Sequence, residues 1–157
     1  MNSALGTRRC RVAIQATWVG IALASCTMSE HLPAHPPASA IGDFPKDPMI
    51  SVVSVSGAWH VALRTAPDQP PTQGTSTADL RITDVAGYPA TGLSVTVTPW
   101  MPAMGHGSDQ QTGVTPMELG RYVVDNVDLT MAGDWSLKLA LSHSGTQDEA
   151  ELPIHVL

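Results

Sequence analysis

The sequence predicts an all-β fold, an immunoglobulin-like antiparallel sandwich of about seven short strands in roughly 100 residues. Three observations carry that expectation. From Ile50 onward Val, Thr, Ser, Gly and Pro dominate, without the Lys/Glu/Leu/Ala richness of helical proteins. Several short runs alternate apolar and polar residues at a period of two. Turns rich in Gly and Pro separate those runs. An OB-type barrel is the competing architecture. A length of 157 residues suits one small domain with appended segments.

The N-terminus reads as an address. Arg8, Arg9 and Arg11 give a basic start, Val12 to Ala24 is mostly apolar, and small residues follow, the pattern of a secretory signal peptide. The apolar stretch is interrupted by Gln15 and falls short of the roughly 20 residues that span a bilayer. Leu23-Ala24-Ser25-Cys26 resembles a bacterial lipobox, which makes residues 1–25 a lipoprotein signal peptide and Cys26 the lipidated first residue of the mature chain. Cys10 leaves with the leader, so no thiol remains for a disulfide in the mature domain. Residues 26–49 carry Pro33, Pro36, Pro37, Pro45 and Pro48 without apolar periodicity and read as a tether. Residues 50–157 are the folded domain. The expected location is exported and lipid-anchored in the cell envelope, facing the periplasm if the organism is Gram-negative.

Within the domain, Ile50–Val55 and Trp59–Arg64 are the first strand candidates, separated at Gly57, and a loop from Pro67 to Gly74 follows. Ala78, Leu80 and Ile82 alternate with Asp79, Arg81 and Thr83, as in a strand with one wet face. Leu93, Val95 and Val97 alternate with Ser94, Thr96 and Thr98, and Pro99 is expected to end that strand. Val114–Glu118 and Arg121–Val127 flank a turn at Leu119-Gly120, and Asp125 and Asp128 read as turn or strand-end residues. Trp135, Leu137, Leu139 and Leu141 alternate with Ser136, Lys138, Ala140 and Ser142 before a turn at Ser144-Gly145. In Ala150–Val156, Pro153 places the last strand at a sheet edge. Trp59 and Trp135 fall at core-compatible positions.

Charge excludes one class of partner. Three of the eight Lys and Arg lie in the leader, leaving five against 14 Asp and Glu. No nucleic acid is expected as partner, nor is electrostatic binding to an anionic membrane surface. Enzymatic signatures are missing as well: there is no Gly-x-Ser-x-Gly, no His-Glu-x-x-His and no Gly-x-x-x-x-Gly-Lys. Gly105-His106-Gly107 lacks the third glycine and the following helix of a dinucleotide fingerprint. The chain is not expected to be an enzyme.

The chemistry concentrates in one connection, Pro99 to Gly113, which is longer than packing demands. It gathers Trp100, Met101, Met104 and His106, with Gly105 and Gly107 giving the backbone freedom to fold around them. Thioether sulfur is a soft, uncharged ligand suited to Cu(I), and imidazole suits copper in either oxidation state. Zinc recruits Cys, His or carboxylates, and only His106 and Asp109 qualify nearby. Counting strands up and down puts Met131 at the same end of the sandwich, beside Met104 and His106, with Trp100 or Trp135 as a wall. The same methionines also suit plain packing of an open sandwich end, or an adaptable docking surface. His60, His143 and His155 are scattered and read as solvent-facing or hydrogen-bonded.

Asp84-x-x-Gly87-x-Pro89, Val95-x-Val97-x-Pro99-Trp100-Met101-Pro102-x-Met104-Gly105-His106-Gly107, Gly120-x-Tyr122 and Met131-x-Gly133-x-Trp135-x-Leu137 together resemble the YtkA-like domain family, which is related to the FixH-type proteins. The resemblance runs over roughly residues 57 to 156. It implies an exported or membrane-tethered β-sandwich with no established catalytic activity, found beside copper-handling and respiratory-oxidase assembly systems, so that a copper-transport or respiratory-oxidase assembly protein is the implied partner. Its signature falls on Trp100, Met101, Met104, His106 and Met131. FixH proteins carry a transmembrane helix where this chain carries a lipobox.

Overall fold

The computed structural model describes residues 43–157. The expected signal peptide, Cys26 and the first part of the expected tether lie outside them. Nine strands follow in order: β1 (Ile50–Val53), β2 (Trp59–Ala66), β3 (Gly74–Asp84), β4 (Ser94–Met101), β5 (His106–Gly107), β6 (Gly113–Pro116), β7 (Arg121–Leu129), β8 (Gly133–His143) and β9 (Thr146–Val156). They form two antiparallel sheets, ordered β1-β2-β3-β7-β6 (sheet A) and β5-β4-β8-β9 (sheet B). This is the expected all-β sandwich, and the two separate sheets dispose of the barrel; there are nine strands where about seven were expected, because the Pro99–Gly113 connection itself contains the short strand β5.

Alternation builds the core. Trp135, Leu137, Leu139 and Leu141 of β8 and Ala150, Leu152, Ile154 and Val156 of β9 turn inward to meet Val61, Leu63, Leu80, Ile82, Val124, Val127 and Leu129 from sheet A. Every one of these is buried, so the sandwich closes over an apolar interior drawn entirely from this unit. Tyr122 adds a polar fastening: its hydroxyl donates to the Ala90 carbonyl at 2.8 Å and accepts the Leu93 N–H at 3.1 Å, pinning the β3–β4 connection. Burial raises its pKa above the ordinary tyrosine value, against the opposing effect of the Leu93 N–H.

Three details differ from the sequence expectation. β4 does not stop at Pro99 but runs on to Met101. The Pro99 carbonyl faces the β5 edge, only 2.5 Å from where a Cβ on Gly107 would stand, so its missing N–H falls on the same side. There β5 opposes only Trp100 and Met101, and no bond to β8 is lost. Asp125 and Asp128 do not end a strand; both lie within β7, which continues past a bulge where two residues, Asp125 and Asn126, oppose Thr77 alone, with Asn126 at φ 57°. Asp79 takes its expected place on the outer face of β3 beside Arg81, yet it is fully buried there, covered by Arg64 and Arg121.

Pro153 lies on β9, which pairs only with β8 and is an edge strand as expected. Asp43–Met49, the end of the Pro-rich stretch, lies against sheet A. Arg64 Nη1 donates to the Pro45 carbonyl (3.2 Å), Gln69 Nε2 to that of Asp47 (3.0 Å), and the Met49 N–H to that of Leu63 (2.8 Å). Among the described residues no helix is long and apolar enough to cross a membrane.

Candidate functional site

The Met/His segment is a tight hairpin. After Met101 the chain reverses in a turn whose Met104 and Gly105 N–H groups both donate to the Met101 carbonyl, at 3.1 and 3.0 Å. Gly105 sits at φ +67°, a conformation that glycine adopts without steric cost. β5 then returns alongside β4, with Met101 opposite His106 and Trp100 opposite Gly107. Gly107 is needed for a second reason, because a Cβ there would collide with the Pro99 carbonyl at 2.5 Å. Beyond the hairpin the chain crosses to sheet A, held by Thr112 Oγ1 donating to the Val97 carbonyl (2.6 Å) and Ser108 Oγ donating to Asp128 (3.1 Å).

Strand parity sorts the side chains. Val97, Pro99 and Met101 are the buried, inward positions of β4, and Met101 is only 8% exposed. Residues directly opposite in an antiparallel pair share a face, so His106 stands on the Met101 side but is exposed at the open end. Its Nδ1 lies 3.0 Å from the Gly107 carbonyl oxygen. With the proton on Nδ1 the ring donates to that oxygen, and Nε2 keeps its lone pair free. Met104 is at the turn and 57% exposed.

Met131 lies between β7 and β8, half-buried against the core, and its carbonyl accepts the Trp135 Nε1–H at 2.8 Å. The β4–β5 turn and the Met131 connection share one end of the sandwich, since the Met101 Cε comes within 3.2 Å of an added Cβ on Gly133. Trp100, one residue from Met101, looks the other way. It lies on the outer face of sheet B, with the Lys138 ammonium 4.5 Å from its ring centroid. Of the two tryptophans considered as a wall, Trp135 is the one buried in the same core as Met101.

Among the described residues no three His, Cys, Asp or Glu side chains form a metal-binding group. The donors at this end are the thioethers of Met101, Met104 and Met131 and the imidazole of His106, a set whose chemistry fits a soft monovalent ion. His60 and His143 are exposed, the latter edge-on to Trp59 at 6.2 Å. His155 Nδ1 is 2.7 Å from Asp134 Oδ1, with both side chains largely in water.

Two polar clusters escaped the sequence reading. Asp79 accepts from Arg64 on β2 and from Arg121 on β7. Asp148 on β9 accepts from the Ser56 hydroxyl (2.5 Å), the Ser56 N–H (2.9 Å) and the Glu149 N–H (2.9 Å), tying the β1–β2 turn to sheet B. Burial pushes the Asp148 carboxyl up, but its hydrogen bonds, including one from Ser54, outweigh burial and hold it at about 2. The signal for the first cluster was the β2–β3 hairpin itself, whose register sets Arg64 opposite Asp79.

Comparison with known proteins adds one finding. The YtkA-like family model matches residues 54–140, more than half of the chain, and the match includes the whole β4–β5 hairpin and the Met131 connection. No curated protein and no solved structure gives a significant match. On the extent of the family match, the chain belongs to the YtkA-like family.

Proposed function

We propose that this chain is a Cu(I)-binding or copper-handling accessory protein of the cell envelope, related to the FixH-type proteins, exported and held to the membrane by lipid on Cys26. The observation that carries the reading is the six-residue hairpin from Met101 to His106. Met101 and His106 are opposite each other in its register, Met104 is in the turn between them, and Met131 is at the same end of the sandwich. Copper is cargo here. Met104 and His106 are the accessible donors, and Met101 and Met131 are supporting donors closer to the core. Soft, neutral ligands hold Cu(I) without adding charge, and an exposed first pair lets a partner's ligands reach the ion during transfer. The partner of this reading is a copper-transport or respiratory-oxidase assembly protein in the membrane. Exposure of Met104 supports a second reading, in which the same turn docks on a membrane-protein partner with no metal involved.

The test is anaerobic Cu(I) titration of residues 43–157 against a chromophoric chelator, beside the Met104→Ile/His106→Phe variant. Both positions are exposed, so the variant is expected to fold normally. Stoichiometric binding that the variant loses is the expected result. Failure of the wild-type domain to compete with the chelator overturns the copper reading and leaves docking.

A further inference from the structure

The acidic balance of the chain hides a local cluster of cations on one face. The described residues contain five Lys and Arg: Lys46, Arg64, Arg81, Arg121 and Lys138. Register puts Arg64, Arg81 and Arg121 on the outer face of sheet A, with Arg81 opposite Ala62 on one side and Arg121 on the other. Lys46 joins them from the Asp43–Met49 segment, and Lys46, Pro48, Ala62, Arg64 and Arg81 line a cleft of about 150 Å³ that contains no carboxylate. Like charges directly opposite on neighbouring strands cost stability. Asp79 relieves Arg64 and Arg121 together with a single negative charge. Arg81 and Lys46 have no hydrogen-bond or ion-pair partner among the described residues.

We propose that this cleft binds a phosphate-class oxyanion, the phosphate of an anionic phospholipid headgroup. Arg64, with its guanidinium oriented by Asp79 and the Pro45 carbonyl, lines the cleft together with Arg81 and Lys46, and guanidinium and ammonium groups are charge-assisted donors to a tetrahedral oxyanion. The choice of headgroup follows from the path of the chain. Lys46 and Pro48 form a wall of the cleft, so Asp43–Met49, the described end of the stretch that follows Cys26 in sequence, runs along this surface. The choice of headgroup rests on the lipid-anchor reading and is independent of the Met/His end. Asp47 follows Lys46 on the segment that packs against sheet A, which keeps the attraction local and sensitive to salt.

The experiment uses residues 43–157, which carry no anchor, in co-sedimentation with vesicles of phosphatidylcholine alone or mixed with phosphatidylglycerol. The Lys46→Gln/Arg81→Gln variant leaves the Asp79 cluster intact. The expected result is pelleting that needs phosphatidylglycerol, weakens with salt and falls about 25-fold in the variant, roughly fivefold for each cation removed. Pelleting that is absent, or unchanged in the variant, overturns the proposal. A parallel titration with inorganic phosphate follows the backbone amides of Ala62 and Arg81. Saturation there without phosphatidylglycerol-dependent pelleting assigns the cleft to free phosphate and overturns the headgroup. The copper titration is untouched by either result.

Discussion

The Met101 methyl carbon stands 3.2 Å from the position a Cβ would take on Gly133, so the side chain of β4 closes against the first residue of β8. Met101 is therefore a core side chain as well as a candidate sulfur donor. Met101→Ala should cost about 2–5 kcal/mol, as for other buried large-to-small changes. Met101→Leu should cost less than about 1.5 kcal/mol while removing the sulfur. Urea unfolding of both variants beside Cu(I) titration of Met101→Leu separates the roles. Unchanged copper affinity in Met101→Leu removes Met101 from the ligand set.

Much of this arrangement was legible one strand at a time. Period-two alternation located β8 and β9, Pro153 marked the edge, and strand counting carried Met131 to the end occupied by the hairpin. What the sequence withheld was lateral. Asp79 looks like a solvent residue along β3, and it is buried because β2 and β7 bring arginines from either side. Likewise, net charge reports the total of cations and anions, whereas the basic cleft depends on which face each cation reaches. Pro99 misled for a related reason: whether a proline ends a strand depends on which neighbour its missing N–H would have faced.

Gly120 combines two demands on one residue. Its φ is +69°, and a Cβ would lie 2.5 Å from the Ile82 carbonyl oxygen and 2.9 Å from the Ala90 nitrogen, both of them backbone. Gly57, at φ +80°, has nothing within 4 Å of the same position. Gly57→Ala should cost about 1 kcal/mol through the positive φ alone. Gly120→Ala should exceed about 3 kcal/mol or prevent folding, because the hydrogen bond from Ala90 N–H to the Ile82 carbonyl must break to make room. Thermal unfolding of the pair is the measurement, and equal losses would refute the steric account.

Asp148 should make the domain acid-sensitive. Its carboxyl sits at about 2 in the folded chain against an ordinary value of 3.8. Between those values the unfolded chain binds more protons than the folded one, so stability rises with pH there. The contribution is fully present above 3.8 and is lost as pH falls through about 2. In Asp148→Ala the β1–β2 turn loses its carboxylate acceptor, and the stability gap to wild type should shrink steadily on acidification. Urea midpoints of both proteins from about pH 5 downward test this. A gap that stays constant across the window rules out Asp148 as the titrating group.

Asp79 offers the sharpest separation of fold from surface. Its carboxylate is fully buried and accepts Arg64 Nε at 2.9 Å and Arg121 Nε at 3.0 Å, with a further contact from each guanidinium. Removing one partner from such a buried network costs about 3–5 kcal/mol. The arginines keep 22% and 33% of their side-chain exposure, which puts Asp79→Asn near the lower end. The same change removes the negative charge that Arg64 and Arg121 share. Stability and anion affinity are thus coupled with opposite signs: urea unfolding should show a weaker domain, while phosphatidylglycerol vesicles should retain more of the folded protein at equal salt. Loss of vesicle binding in a variant still shown to be folded would mean that Asp79 organises the cleft more than it neutralises it. Arg64 would then be its critical donor, and Arg64→Lys, which keeps the charge but not the fork, should reproduce the loss.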